Sequence, residues 1–539
     1  MKTTLSNKEK QILDTTVYQI YPRSFYDGNG DGVGDLQGII QKIPHLKNLG
    51  INTVWLCPCY PSPNADNGYD VANYKDVNPL FGDMRDWERL KNRLHDERIK
   101  ILMDFVANHT SDEHFFFQEA KKSKDNPYHE YYIWADKPNG WKSVFGGSAW
   151  TYNRATKEYY LHSFDKKQPD LNWKNQRVRK EMQSVIDFWT DKGVDGFRCD
   201  VLDFIAKDFE KNQMYGGALL PTYIKELFGR KHTRKLFTVG ECQTNRNTIC
   251  DICGIETGKL STVFQFDHMR ICGNDKFRPK RFSFEKLRKT LVSWQNFTQE
   301  NKLIPTLFTD NHDYPYFISR YGDDEALRYF SATAYACACF LLRGIPFIYQ
   351  GQEYGAINPY YEDISSFDDV ETKNRYRQVL SRKGKAQAVQ EINVGSRDNT
   401  RRPFAWNGNK DEHFGFSTAT PWLQSHTRAA DINLEDDTRA QFSVFAFYQK
   451  LLALRKRHTC LRYGNFTDIT QNKNAFVYER VYGNKSAVIV CNYNQAQSIS
   501  LPKKLVEKGY SLVLYNYPKR EEAPFCPTFQ PFETAVYIR

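Results

Sequence analysis

VYQIYPRSF at residues 17 to 25, INTVWLCP at 51 to 58 and KILMDFV at 100 to 106 decide the fold. Each is a short apolar run rich in β-branched and aromatic residues, which reads as a buried strand. The intervals between them carry apolar residues at helical spacing: Leu36, Ile39, Ile40, Ile43 and Leu46 in the first, Trp87, Leu90 and Leu94 in the second. Strands separated by helices predict a parallel sheet. The rhythm resumes downstream. Val178, Met182, Val185, Ile186 and Trp189 make one helix face, Gly193 is placed to end that helix, and VDGFRCDV (194 to 201) is the next strand. LFTVGE, TVFQFD, IPTLFTD and IPFIYQG complete a set of eight strand patterns between residues 17 and 351.

Eight strands in this alternation predict an α/β fold, a (β/α)8 TIM barrel. Two regions break the pattern. Residues 106 to 174 are rich in Tyr, Trp, Asn and Gly and read as a small domain inserted after the third strand, where it would wall one side of the barrel mouth. After the helix FAFYQKLLALRKRH, residues 458 to 539 shift to alternating runs such as AFVYERVY, SAVIVCNY, YSLVLYNY and TAVYIR. These predict an all-β domain, a β-sandwich, closing the chain. The barrel is thus expected from residues 1 to 105 and 175 to 457.

With 40% hydrophobic and 15% aromatic residues, the 539-residue chain can build several packed layers. No stretch has the roughly 18 uninterrupted apolar residues that a membrane span requires, and the opening MKTTLSNKEKQILD is polar where a signal peptide is hydrophobic. The twelve cysteines are scattered, as in reduced cytoplasmic proteins. Cys250 and Cys253 have the spacing of half a zinc site, but no second pair stands at a matching spacing. The formal charge of +11 comes from Lys and Arg mixed with Asp and Glu along the whole chain, which describes a solvated surface and no nucleic-acid or membrane partner. A monomer or weak homo-oligomer is expected.

Barrel enzymes carry their catalytic groups at the C-terminal ends of strands, which singles out Asp200, Glu241 and Asp313. Three acids around one mouth can supply the attacking carboxylate, the proton donor and the stabiliser that glycoside hydrolysis needs. Arg198 lies two residues before Asp200, so both side chains leave the strand on one face, and the cation can hold the carboxylate ionised. Each motif also has a bland reading: a barrel salt bridge for Arg198 and Asp200, a strand-end surface acid for Glu241, and an Asx-capped turn for Asp313. Gly240 before Glu241 lets the backbone approach a ligand. His312 can donate to sugar hydroxyls.

DFVANH (104 to 109), GFRCDV (196 to 201), TVGE (238 to 241) and TDNHD (309 to 313) resemble, in order and spacing, the four signature regions of the α-amylase family of glycoside hydrolases. QPDLNW (168 to 173) resembles a further signature of its oligo-1,6-glucosidase branch, and GIPFIYQGQE and SRDNTRRPFAW extend the likeness, which runs from about Val17 to Tyr463. The resemblance implies a retaining, exo-acting α-glucosidase that frees glucose from the non-reducing end of short oligosaccharides. In that reading Asp200 is the nucleophile, Glu241 the acid and base, and Asp313 the stabiliser. His109 and His312 hydrogen-bond the glucose, Arg198 holds the nucleophile, Asp104 supports the site, and Asp66 and Tyr69 line the innermost pocket, Asp66 pairing with Arg401 to block it. Val201 resembles branch members that prefer α-1,6 bonds.

DGNGDGVGD (27 to 35) sets Asp27, Asn29, Asp31 and Asp35 at alternate positions around a turn, an oxygen-rich pattern that suits calcium. Gly38 stands where an EF-hand has its bidentate Glu, so the loop is not one. The branch implies a structural Ca2+ here with the carbonyl of Val33 as a further ligand. Departures lie elsewhere: Tyr314 and Tyr316 stand in NHDYPY, and Arg402 and Ala405 in RRPFAW, at positions expected near the leaving-group site. Trehalose-6-phosphate hydrolases share DNGYDVANY and GGSAW, and the basic charge suits a phosphorylated substrate. Sucrose isomerases are a weaker match, since SRYGDDEALR lacks their arginine-rich loop. Non-catalytic heavy chains of amino-acid transporters share the fold but carry a membrane span and lack a complete triad.

Overall fold

The computed structural model describes residues 5–254 and 259–539. The first three barrel strands are β1 (Val17–Ile20), β2 (Thr53–Leu56) and β3 (Lys100–Val106). An inserted trio follows, β4 (Trp134–Ala135), β5 (Trp150–Asn153) and β6 (Glu158–Leu161). The barrel resumes with β7 (Gly196–Asp200), β8 (Phe237–Glu241), β9 (Thr262–Phe264), β10 (Thr306–Leu307) and β11 (Ile345–Tyr349). All eight expected strands are present. They pair in parallel in the order β10, β11, β1, β2, β3, β7, β8, β9. Side-chain hydroxyls close the remaining seam: Thr262 Oγ1 donates to the Ile304 carbonyl at 2.6 Å, and Thr306 Oγ1 to the Val263 carbonyl at 3.1 Å. Pro305, just before the short β10, has no N–H to offer a ladder.

The helix expected through Leu36 and Leu46 forms as two, Leu36–Gln41 and Ile43–Leu49. Pro44 lacks an N–H and its ring clashes with the preceding turn, so it starts a new helix instead of continuing the old one. The helix Gln176–Asp191 ends as predicted, with Gly193 in the left-handed region at φ 94°. Trp189 of that helix packs edge-on against Trp87, ring centroids 4.9 Å apart, and both are fully buried. Burying two indoles this way anchors the helical ring to the sheet.

The insertion is a small antiparallel sheet in the order β4, β6, β5, stapled to the barrel mouth by a bridge between His109 and Asp170. The C-terminal region comprises β12 (Asn465–Asp468), β13 (Ala475–Tyr482), β14 (Lys485–Asn492), β15 (Gln497–Ser498), β16 (Ser511–Tyr515), β17 (Thr528–Phe529) and β18 (Thr534–Ile538). Five of these form an antiparallel sheet, and the second layer of the expected sandwich is reduced to the ribbon of β15 and β17. Alternation explains how one sheet serves two cores. Val477, Val488 and Val490 point to the ribbon and Phe529, while Tyr478 and Ile489 join the main core. Tyr478 donates its hydroxyl to the Cys337 carbonyl at 2.8 Å, on the buried helix Arg328–Phe340. At this seam Arg455 and Arg480 are buried and bonded to backbone carbonyls, those of Phe340, Leu342, Leu461 and Gly344 for the first, and of Leu341 and Gly464 for the second.

Candidate active site

Asp200 ends β7 and Glu241 ends β8, and these strands are neighbours, with Cys199 opposite Gly240 in register. The two carboxyls therefore meet at the C-terminal rim. Arg198, buried beneath them, joins the cluster. Its Nη1 donates to Asp104 Oδ1 at 2.9 Å and to Asp200 Oδ1 at 2.8 Å, and its Nη2 donates to Glu241. Asp104, on β3, also accepts from Trp55 Nε1 at 3.1 Å and the Tyr69 hydroxyl at 3.0 Å. Arg198 is thus a structural ion pair on one side and a brace for two pocket acids on the other.

Burial pushes the Asp200 carboxyl well above the usual carboxylate range, Arg198 opposes it, and the charges of Glu241, Asp104 and Asp313 add to it. Glu241 is raised for the same reasons, burial first and Arg198 against. Both carboxyls therefore hold a proton more tightly than isolated carboxyls do. Asp313, on the loop after β10, behaves oppositely. Burial would raise it, but His312, Arg401, Arg397 and Lys276 together hold it far below the ordinary range. Arg401 Nη2 donates to Asp313 Oδ1 at 3.0 Å, and Lys276 Nζ to the Asp313 carbonyl at 2.9 Å.

His312 contributes to Asp313 as a neutral donor, because burial pushes its imidazole down to about 3. Gln19 Nε2 lies 2.7 Å from His312 Nδ1 and assigns the tautomer: with Nδ1 accepting, the proton sits on Nε2, 3.2 Å from Asp313 Oδ2. Tyr69 stacks flat on the same ring, centroids 5.3 Å apart at 6°.

The far end of the pocket is closed by Asp66. Its partner is Arg397, not the expected Arg401: Arg397 Nη2 donates to Asp66 Oδ1 at 2.8 Å, whereas Arg401 is spent on Asp313 and the His312 carbonyl. Both arginines belong to the stretch SRDNTR, four residues apart, and spacing alone could not choose between them. Gln168 completes the closure, its Nε2 3.1 Å from both Asp66 Oδ2 and His109 Nε2. His109 is buried, and desolvation lowers its imidazole to about 4, so it too is neutral. Glu371 pairs with Lys276 at 2.8 Å beside the pocket. Arg397, Gln168, Lys276 and Glu371 had no assigned role in the sequence, although Gln168 and Arg397 lie inside the signature stretches QPDLNW and SRDNTRRPFAW.

A cavity of about 500 Å³ opens above these groups, lined by Asp66, His109, Asp200, Glu241, Asp313 and Arg397 on its floor. Phe145, Phe164 and Tyr215 form an aromatic wall, and Arg270 and Lys276 lie at the rim. Val201 also lines it, in the left-handed region at φ 34°, a strained conformation for a β-branched residue. That twist turns its N–H toward Glu241 Oε2, 3.4 Å away. Of the residues expected at the leaving-group side, Tyr314 lines the cavity and accepts from Arg270 Nε, but the others do not. Tyr316 is buried, its hydroxyl 3.4 Å from the Gln350 carbonyl. Arg402 is buried over the Tyr361 ring at 4.1 Å, and Ala405 lies in the core. Gly240 serves strand packing and not a ligand: a Cβ there would meet Leu260 Cδ1 at 2.7 Å.

In the loop 27 to 35 the carboxylates are turned onto backbone N–H groups. Asp27 accepts from Gly30 and Gly32, each at 2.7 Å, and Asp35 caps the next helix by accepting from Gly38 at 2.6 Å. Asn29 Oδ1 accepts from the Asp31 N–H, and Asp31 Oδ1 from the Val33 N–H. Among the described residues no group of three or more His, Cys, Asp or Glu side chains stands ready to hold a metal ion. Cys250 and Cys253 are free thiols, as are the other ten cysteines.

The profile of the alpha amylase catalytic domain matches residues 19–464, and it spans every acid of this pocket. The chain belongs to the α-amylase family. It is therefore a glycoside hydrolase acting on α-glucosides, which sets aside the non-catalytic scaffold reading. Nor is any helix among the described residues long and apolar enough to cross a membrane. The chain is 39% identical to an oligo-1,6-glucosidase of Halalkalibacterium halodurans, over 97% of this chain and 98% of that one. It is also 39% identical to a trehalose-6-phosphate hydrolase of Bacillus subtilis, over 97% of each. A crystal structure of a mutant trehalose-6-phosphate hydrolase from Bacillus licheniformis superposes with a TM-score of 0.92 at 36% identity, covering 97% of this chain and 99% of that one.

Proposed function

We propose that this chain is a retaining, exo-acting α-glucosidase that releases glucose from the non-reducing end of short oligosaccharides, with α-1,6 bonds preferred. One observation carries the reading: a single buried guanidinium, Arg198, holds Asp200 on one Nη and Glu241 on the other. Sharing one guanidinium draws the two carboxyls together at the rim, in keeping with the separation of about 5 to 5.5 Å that retention by direct attack requires. Asp200 attacks the anomeric carbon while Glu241 passes its proton to the departing oxygen. Glu241 then takes a proton from water, and the water oxygen displaces Asp200 from the glucosyl ester. Asp313, held ionised, faces the positive charge that develops on the sugar. The closure by Asp66, Arg397 and Gln168 admits one glucose and stops the chain there.

The α-1,6 preference rests on Val201 at the cavity wall and on the oligo-1,6-glucosidase relative. A second reading, hydrolysis of trehalose 6-phosphate, draws on Arg270 and Lys276 at the rim and on the second relative. Glucose release from isomaltose, maltose and trehalose 6-phosphate, measured side by side, separates them. Isomaltose is expected to be cleaved fastest, with α-glucose as the first anomer seen by NMR. Inert isomaltose with rapid cleavage of the phosphosugar gives way to the second reading, and β-glucose sinks the retaining mechanism.

Calcium in the loop 27 to 35 is part of the proposal, held by oxygens of Asp27, Asn29, Asp31 and Asp35 and the Val33 carbonyl, the hard donors this cation takes. Asp27 and Asp35 must give up N–H bonds to bind it, so the expected effect is a rise in Tm of a few degrees on adding Ca2+. A melting curve indifferent to both calcium and chelator leaves the loop a set of Asx turns. A cytoplasmic location fits the twelve free thiols.

A further inference from the structure

A cavity of about 820 Å³ lies at the opposite end of the barrel from the catalytic acids. Its floor is built at the N-terminal ends of the strands, where Thr53, Lys100 and Phe237 open β2, β3 and β8. One wall is the helix Asn7–Leu13 and another is the segment 231 to 236. We propose that this cavity binds a small phosphorylated metabolite carrying a ring, at a site separate from catalysis.

The charge pattern leads to that ligand. Five cations line the cavity, Lys8, Lys100, Lys231, Arg234 and Lys235, against one carboxylate, Asp195. That carboxylate is already engaged, its Oδ2 accepting from His95 Nε2 at 2.8 Å and from the Ile101 N–H at 2.9 Å. The run RKHTRK at 230 to 235 divides its charges between two faces. Arg230 and His232 turn outward onto Asp187, at 2.5 and 2.7 Å. Lys231, Arg234 and Lys235 face the cavity, and Lys8 ties the two walls together by donating to the Arg234 carbonyl at 2.8 Å. Below the cations the floor is apolar, with Ile12, Leu102, Val194 and Leu236 buried. A cationic rim over an apolar floor suits a phosphate attached to a ring, and the volume lies in the range of small-ligand sites.

The test titrates ATP, glucose 6-phosphate and inorganic phosphate separately into the full chain at low salt, by calorimetry. The same titrations are run on a K100Q/K231Q/K235Q variant, whose three lysines are exposed and far from the catalytic groups. One of the two ring phosphates is expected to bind once per chain, and about tenfold more weakly to the variant, with glucoside hydrolysis by the variant unchanged. Whether the nucleotide or the sugar phosphate binds names the source. Absence of binding by both, equal binding by the variant, or inorganic phosphate binding as tightly as either overturns the proposal.

Discussion

Five of the buried arginines fall into two groups at different places in the molecule. Arg198, Arg397 and Arg401, at the catalytic mouth, are held by carboxylates; Arg455 and Arg480, at the seam with the C-terminal sheet, are held by carbonyls. All five are fully or almost fully enclosed. Carboxylates outweigh the burial of the first group and raise their hold on the proton, whereas burial wins at the seam and lowers it. The contrast separates two uses of one residue type. At the seam an arginine satisfies chain ends that no ladder reaches; at the mouth it arranges acids that would otherwise repel one another.

The largest expected effect tests the acids that the mouth arginines arrange. Asp200→Asn keeps shape and hydrogen bonding to Arg198 but removes the carboxylate proposed to attack, so kcat should fall by about 10⁴-fold or more with Tm little changed. Steady-state kinetics beside a melting curve checks it, and retained turnover removes Asp200 from the mechanism. Arg397→Ala comes next. It leaves Asp66 and Asp369 buried without their cation, and should cost about 3 kcal/mol of stability along with most activity. Arg397→Lys should restore little, because Arg397 bonds Asp369 through both Nε and Nη2 and a lysine offers a single point charge.

At the seam, Arg480→Met should cost about 1 to 3 kcal/mol by stranding the Leu341 and Gly464 carbonyls, yet leave kcat/KM alone. A loss of activity without loss of stability would erase the distinction between the two groups. The smallest effect concerns a buried charge with neither kind of partner. Asp203 accepts the Gln243 N–H at 2.7 Å, forms no ion pair among the described residues, and is pushed up by burial to about 7. Its folded value lies above its unfolded one, near 4, so its contribution to stability is complete below about 4 and is lost as pH rises through 7. Denaturation across that window should show the slope in the parent and a flatter curve in Asp203→Asn. Parallel curves would place the slope elsewhere.

Much of the site could be read beforehand because catalytic groups of a barrel sit at strand ends, and strand ends are marked by where an apolar run meets Asp or Glu. Asp200 and Glu241 needed only that rule. The partner of Asp66 needed more, since Arg397 opens a single turn that ends at Asn399, Arg401 lies just beyond it, and only the course of that backbone decides which guanidinium reaches Asp66 and which Asp313. Tyr316 and Arg402 teach the same lesson from the other side: unusual residues near a motif read as substrate contacts, yet both are packed in the interior.

The eight barrel strands, the presence of an insertion after the third, the all-β close of the chain and the three candidate acids were legible in local pattern, because apolar periodicity and turn chemistry act over neighbouring residues; the sheet within the insertion and the thinness of the second β layer were not. Only the tertiary structure decided which charges meet. Pairing energy depends on distances between side chains far apart in the chain, 331 residues for Asp66 and Arg397, and on the burial that makes each pairing strong. The tautomer of His312, the raised hold of Asp200 and Glu241 on a proton, and the cationic cavity beneath the barrel all follow from that packing.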